Sequence, residues 1–538
     1  MTDTAERTAS ILSAAARGMS VAFHAAEAPE RTAIISPAGD RTFAELNARA
    51  NQLVRLLRRR GLARGSSVAL LCSNRPEFVE TYAACNRAGF RLTPINWHLQ
   101  ADEVSYIVTD CGAEALVADS RFSEVAAAAA TASDGLVVKL SVGGDIPGFE
   151  PYEAAVAAED DNDIDDPELG GTMLYTSGTT GRPKGVRRPP AGAGGRGRVS
   201  FVPAGYRAGE DLHLCTGPLY HAAPLAFSLS VPLLYGVGVV LMDGWDPEET
   251  LALVDRHRVT HTHMVPTMFH RLVAIPESTR RRYDVSTLRY VLHGAAPCPV
   301  PVKRAMIEWL GPVIHEYYAA TEGGGTAISA SEWLEKPGSV GRPVEGQVIQ
   351  VWDDQGNVLP AGEVGQVFIK APAEGRFEYH NAPEKTASTY RGDFFTLGDV
   401  GYFDEDGYLF LTGRSAELII SGGVNIYPAE VDAALLTHPA VADAATVGVA
   451  NDEWGEEVKA VVQLKEGYRP GAELGAELIE HCRQRLAHFK CPRTVDFVPE
   501  LPRHDNGKLY RRQVRDWYRD GTPPAGLVAG SPEGAGRS

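Results

Sequence analysis

The sequence predicts an α/β protein: a large N-terminal domain of α/β subdomains plus a β-rich subregion, then a small α+β C-terminal domain. Three patterns carry that reading. Short apolar strands alternate with helices between Ala33 and Ala118, the spacing of βαβ units with parallel pairing. Short strands with turns at Asp354-Gln355-Gly356-Asn357 and Pro360-Ala361-Gly362 take over between Gly338 and Lys370. Beyond Arg414 the order becomes strand and turn, helix, two strands, helix, strand, over an ordinary domain length. A chain of 538 residues holds more than one core, and the boundaries fall at 1–414, 415–522 and a disordered tail over 523–538.

In chain order, residues 8–23 read as a helix, Ala33-Ile34-Ile35 begins a strand, and Thr42 caps a helix reaching Arg60, with Glu45 completing a capping box. Val68–Leu71 is a buried strand ahead of a helix over Glu77–Ala88. Arg91–Val108 is a further strand and helix, and Ala115–Ala118 the next strand. Acidic Asp160–Asp166 is a solvated connection into a strand at Thr172–Tyr175. Arg187–Arg198 is too rich in glycine and proline for regular structure, and is equally a lid with arginines near an anionic ligand or a plain surface loop.

The charge-free run Leu225–Met242 contains Pro232, Gly236 and Gly238, so it reads as a short apolar helix and a buried strand rather than a membrane span. Leu251–Arg256 is helical and Val259–Val265 a strand, where His261 and His263 share a face and read as packing residues without a third metal ligand. Arg289–Leu292 is a strand. Later elements are strands at Tyr408–Thr412, Ala442–Val449, Lys459–Leu464 and Thr494–Phe497, with helices over Ala429–Leu436 and Glu477–Leu486.

A charged fraction of 22% and a hydrophobic fraction of 44% are those of a soluble globular protein. The net charge of −17 excludes a general nucleic-acid binder, which needs a basic face. Seven scattered cysteines without a C-x-x-C pair point to a reducing compartment. No apolar signal-peptide core or integral membrane segment is read, so a cytoplasmic protein is expected.

Tyr175–Val186, Tyr-Thr-Ser-Gly-Thr-Thr-Gly-Arg-Pro-Lys-Gly-Val, carries the first chemistry. Hydroxyls at Thr176, Ser177, Thr179 and Thr180, bends at Gly178, Gly181 and Gly185, and the Lys184 ammonium suit a polyphosphate, although such loops are often plain surface connections. It is not a Walker A loop, because Lys184 follows a proline and precedes a glycine. Three further motifs follow: Tyr317-Tyr318-Ala319-Ala320-Thr321-Glu322-Gly323, Thr396-Leu397-Gly398-Asp399 with Thr412-Gly413-Arg414, and Leu501-Pro502-Arg503-His504-Asp505-Asn506-Gly507-Lys508.

Together, over nearly the whole chain, these motifs resemble the acyl-adenylate-forming superfamily, in particular its acyl-CoA synthetase or CoA ligase branch. The resemblance implies two steps with ATP, Mg2+ and CoA: a carboxylate attacks the α-phosphate to give acyl-AMP and pyrophosphate, and the CoA thiol then displaces AMP. It implies that Thr176, Ser177, Gly178, Thr179, Thr180, Gly181 and Lys184 hold the outer phosphates, and that Tyr318 and Gly294-Ala295-Ala296 flank adenine. Thr321 meets the α-phosphate, Glu322 holds magnesium, Asp399 and Arg414 bind the ribose, and Lys508 serves the first step. The C-terminal domain of the family is mobile: it swings about a hinge, here Ala416, and Ser421-Gly422-Gly423 then lines the thiol tunnel. The acid pocket is expected from Tyr220, His221, His293, Ala319, Gly323 and Gly324, suiting a fatty acid or a bulky, partly polar acid.

Two positions depart from the pattern: Ala416 stands where the family has Asp or Lys, and Ala319 where it has Gly. They keep open an enzyme specialised for thioesterification of a supplied adenylate. A stand-alone adenylation enzyme loading a carrier protein is a second alternative, against which counts the lack of a fused carrier segment after residue 522. A non-catalytic nucleotide-binding protein is a third, disfavoured by the retained Lys184, Glu322, Asp399, Arg414 and Lys508. A homodimer is left open.

Overall fold

Local rules set the first elements. Thr42 Oγ1 accepts from the Glu45 amide at 3.1 Å and Glu45 Oε2 accepts from the Thr42 amide at 2.8 Å, the capping box that starts helix Phe43–Arg59. The expected helix over 8–23 is instead two, Thr2–Ala15 and Ser20–Glu27. The break is Gly18, at φ +72°, whose backbone lies so close to the next layer that a Cβ would stand 2.1 Å from the Asn86 carbonyl oxygen.

The computed structural model describes residues 2–176, 183–188, 204–372, 375–414, 417–421, 424–451, 454–503 and 507–530. Two sheets form the N-terminal body. One has six parallel strands in the order Glu150–Pro151, Val138–Val142, Ala113–Asp119, Ser67–Leu71, Arg91–Pro94, Gly171–Thr172. The other has nine strands and a parallel centre: Ile314–Ala320, Tyr290–His293, His261–Met264, Leu212–Cys215, Gly238–Leu241 and Thr32–Ile35. The charge-free run is a π-helix over Pro224–Ser230, a helix turn over Val231–Leu234 and the strand Gly238–Leu241, and no described helix is long and apolar enough to cross a membrane.

The β-rich subregion is an antiparallel sheet containing Ile349–Trp352, Gly365–Lys370, Asp399–Phe403 and Leu409–Arg414. The C-terminal unit is built on the long hairpin Val441–Asn451/Gly455–Leu464, covered by Pro428–Leu435, Ala472–Arg483 and Arg511–Arg519. The sequence reading had no helix at Arg511–Arg519, which buries Val514 and Trp517. Part of the tail expected to be disordered is ordered: Val528–Ala529 pairs with Asp496 and Phe497, and the Gly530 amide donates to the Val495 carbonyl at 2.8 Å. An open sheet edge takes the strand, which composition does not reveal.

The buried core of the nine-stranded sheet contains an ion pair. Glu316, on Ile314–Ala320, accepts from Lys303 of helix Val300–Leu310, and Lys303 Nζ also lies 4.7 Å from the Trp333 ring centre. Burial raises the carboxyl's pKa and lowers the amine's, and each partner's charge opposes the effect on the other. Lys303→Met should destabilise the protein by about 3–5 kcal/mol because Glu316 is left buried without its ammonium partner. Lys303→Met with Glu316→Leu should recover most of that loss, and thermal melts of the two variants check the ordering.

Candidate active site

Two hairpins face each other. In the first, Thr176 pairs with Lys184 and Tyr175 with Gly185, so the segment between them is the hairpin's connection. Ser177, Gly178, Thr179, Thr180 and Gly181 lie outside the described residues, as do residues 189–198 of the glycine-rich stretch. Gly185 lets the Tyr175 ring lie over the strand, where a Cβ would meet it at 3.1 Å, and the Tyr175 hydroxyl donates to Asp110 Oδ2 at 2.6 Å. The far edge of the Lys184 strand pairs with Glu378–Tyr379.

The second hairpin is Ile314–Ala320/Gly323–Ser329, turned by Thr321 and Glu322 alone, because Ala320 already pairs with Gly323. Both tip residues are tied to the three-stranded sheet built on the first hairpin. Arg188 Nη2 donates to the Thr321 carbonyl at 2.6 Å, and the Tyr379 hydroxyl donates to Glu322 Oε1 at 2.8 Å. Tyr379 was not singled out from the sequence; it lies far along the chain and reaches Glu322 only through strand pairing.

Asp399 joins the β-rich sheet to this hairpin. Its Oδ2 accepts from the Tyr318 hydroxyl at 2.7 Å and its Oδ1 from Arg414 Nε at 3.0 Å. Asp399 and Arg414 are direct cross-strand partners, an opposite-charge pair. Burial and then the Asp399 charge push the Tyr318 phenol well above its ordinary pKa, so it stays a donor.

Lys508 arrives from the C-terminal unit and is half-buried. Burial, and then the Arg414 charge, lower its ammonium pKa, while Asp399 and Glu322 act in the opposite sense. The neighbouring Gly507, at φ +77°, comes so close to Thr267 that a Cβ would stand 2.3 Å from its Oγ1. His270, on the same helix Pro266–Ala274, has Asp443, Lys465 and Arg503 as charged neighbours. This contact seats the C-terminal unit against the N-terminal body and leaves Lys508 within the electrostatic reach of Arg414, Asp399 and Glu322.

Gly294 lies against Tyr317, with a would-be Cβ 2.6 Å from the ring and from the carbonyl oxygen. Ala295 follows at φ +68°, a left-handed conformation that costs a non-glycine residue about 1 kcal/mol or more. Ala296 completes the bend at the end of Tyr290–His293.

The expected acid pocket needs correction. His293 is buried on the opposite sheet face, its ring centre 4.8 Å from that of Phe269 and Nε2 3.7 Å from Glu316 Oε2. Strand alternation sends it there, away from Leu292, and burial with the Lys303 charge holds its pKa well below the ordinary imidazole value. Gly323 and Gly324 present their Cβ directions to the β-rich sheet: a Cβ would stand 3.2 Å from Arg188 Nη2 at the first and 2.6 Å from Ile369 Cδ1 at the second. Tyr220 packs edge-on to Trp97 at 5.9 Å, with the His221 ring 4.5 Å away. Ala319 joins Phe227, Ala223 and buried Tyr317 in one hydrophobic cluster. Ser421 sits opposite Val424 in the C-terminal sheet and joins none of the contacts above; Ala416, Gly422 and Gly423 lie outside the described residues.

A family model described as AMP-binding enzyme matches residues 21–376, and one described as AMP-binding enzyme C-terminal domain matches 430–508. The chain is 36% identical over 488 residues to a 2-succinylbenzoate–CoA ligase of Geobacillus kaustophilus (strain HTA426), covering 90% of this chain and 95% of the relative. It is 34% identical over 490 residues to a feruloyl-CoA synthase of an Amycolatopsis species, covering 90% and 96%. The structure of the anthranilate CoA ligase AuaEII in complex with anthranoyl-AMP superimposes with a TM-score of 0.83 at 26% identity, covering 93% of this chain and 97% of that one. With both domain models matched in order and relatives of this identity spanning nearly the full length, the chain belongs to the AMP-binding enzyme family, in the CoA ligase branch of the acyl-adenylate-forming enzymes.

Proposed function

We propose that this ligase converts a carboxylic acid to its CoA thioester through an acyl-adenylate, with the Asp399 cluster as the nucleotide seat. The observation that carries the residue assignment is the convergence of Glu322, Asp399, Arg414 and Lys508, from separate elements, on one another. A carboxylate oxygen bonds to the α-phosphorus of ATP as the bridge to the β-phosphate breaks and pyrophosphate leaves. The CoA sulfur then bonds to the acyl carbon, AMP departs with the electron pair of the broken C–O bond, and the thiol proton passes to solvent.

The attack brings two anions together, so cationic groups that meet the growing negative charge lower the barrier. Lys508 supplies one such group and Lys184, at the base of its hairpin, a second. Asp399 would accept from the ribose hydroxyls, with Tyr318 and Arg414 fixing its orientation, and the Gly294-Ala295-Ala296 bend would pass one face of adenine. Glu322 fits a magnesium ligand: Tyr379 bonds only one of its oxygens, and among the described residues no group of three acidic, histidine or cysteine side chains could hold a metal alone. That suits an ion completed by phosphate oxygens and water, which would neutralise charge on the leaving pyrophosphate.

Lys508→Ala is expected to slow pyrophosphate release from acid plus ATP by about 10²–10³-fold while sparing most thioester formation from a supplied adenylate. Equal losses in the two assays would refute this division of labour between the steps. Because its pKa is lowered and the ammonium is the working form, pyrophosphate release should fall with rising pH before an ordinary lysine would titrate. Lys508→Arg should remove that alkaline limb, since a guanidinium keeps its charge. Asp399→Asn should raise the ATP KM by about tenfold or more, the loss of hydrogen bonds to a charged acceptor, with AMP titration calorimetry as the independent reading.

A further inference from the structure

On the sheet face away from His293, the Tyr317 side chain does something its neighbours do not. Tyr317 belongs to Ile314–Ala320, which pairs with Tyr290–His293, which in turn pairs with His261–Met264. Its phenol crosses the middle strand and meets His263 Nε2 at 3.1 Å, two strands away. Gly294 makes the crossing feasible, because any Cβ there would collide with the ring at 2.6 Å. Phe227 stands edge-on to Tyr317 at 4.8 Å and 5.7 Å from the His263 ring. Phe227 is presented by the π-helix Pro224–Ser230, a rare conformation that frequently occurs at functional sites.

Tyr317, Leu292 and His263 are buried, whereas Ala223, Phe227 and Ala319 around them are only partly so. Buried Tyr317, Leu292 and His263 therefore lie beneath the partly exposed Ala223, Phe227 and Ala319. Thr321, at the hairpin tip where the carboxylate must react, is four residues from Tyr317, a strand length of roughly 13 Å. Burial lowers the His263 pKa to about 3, so the imidazole is neutral and this buried layer carries no cation for a second carboxylate.

We propose that Tyr317, laid over Gly294 and bonded to His263, closes the inner end of the acid pocket and restricts this ligase to compact acids with an uncharged tail, above all single-ring aryl acids. This rests on the ligase reading given above and adds the size and class of the acid. An aromatic ring entering past Ala319 finds the edges and faces of Tyr317 and Phe227, which favours aryl over alkyl tails. An extended dodecanoate is longer than the span and would have to displace the Tyr317 ring.

The test uses the full chain with ATP, magnesium and CoA against benzoate, 4-hydroxybenzoate, cinnamate, hexanoate, dodecanoate and succinate, reading pyrophosphate and thioester. The unaltered protein should prefer its best aryl acid to dodecanoate by about a hundredfold in kcat/KM, the scale at which a pocket rejects a tail that does not fit. Tyr317→Gly should raise kcat/KM for dodecanoate by about tenfold and lower it for the aryl acids. Tyr317→Leu, which keeps more of the packing, should shift the ratio in the same direction, and melting temperatures show that each variant is folded. Dodecanoate or succinate used as well as the aryl acids by the unaltered protein, or an unmoved acid ratio in both folded variants, overturns the size wall and leaves the ligase reading standing. Pyrophosphate release with none of the acids, and no thioester from a supplied benzoyl-adenylate, overturns the ligase reading and the wall together.

Discussion

The buried pairing of Glu316 with Lys303 anchors the strand on which the site is built. Ile314–Ala320 has side chains of alternating direction, so holding Glu316 in the helix-facing layer orients every residue after it. Tyr318 follows on the Glu316 side and reaches Asp399; Tyr317 and Ala319 take the other side, toward His263 and Phe227. The strand then ends in the two-residue turn that presents Thr321 and Glu322. One element thereby carries the residues that meet Asp399, His263, Arg188 and Tyr379.

Charge balance explains the surroundings of that strand. Asp399 is buried yet satisfied on both oxygens, by a neutral phenol and a guanidinium, so its orientation is set before any ligand arrives. Lys508 is in a different position: losing water disfavours its ammonium, and Arg414 adds repulsion. An arriving polyphosphate would relieve both penalties. The residue is therefore poised to gain more from an anion than a solvated surface lysine would, as expected of a group that stabilises developing negative charge. The contact of Gly507 with Thr267 shows how little room the docked pose leaves at this junction.

Much of this was legible from local chemistry. The Thr42 capping box, the interruption of Leu225–Met242 by proline and glycine, and the parallel strand spacing are consequences of neighbouring residues, and each appears in the fold. The motifs holding Tyr318, Asp399, Arg414 and Lys508 were legible too, because each is a short pattern of polar residues set among glycines. What escaped were partners defined by direction. His293 reads as a pocket residue from its place beside Gly294, yet strand alternation turns it into the helical layer. Gly323 and Gly324 follow the tip but open toward Phe395 and Ile369. Tyr379 and Arg188 hold the tip from elements that no sequence spacing connects to it.

The sequence alone determined the α/β class, through its periodicity, and the resemblance to the adenylate-forming ligases, through short polar motifs; both are local properties that survive without coordinates. Which side chains share a space was decided by the tertiary structure. A one-residue step along a strand reverses a side chain, and contacts such as Tyr317 to His263 or Tyr379 to Glu322 exist only after the strands pair.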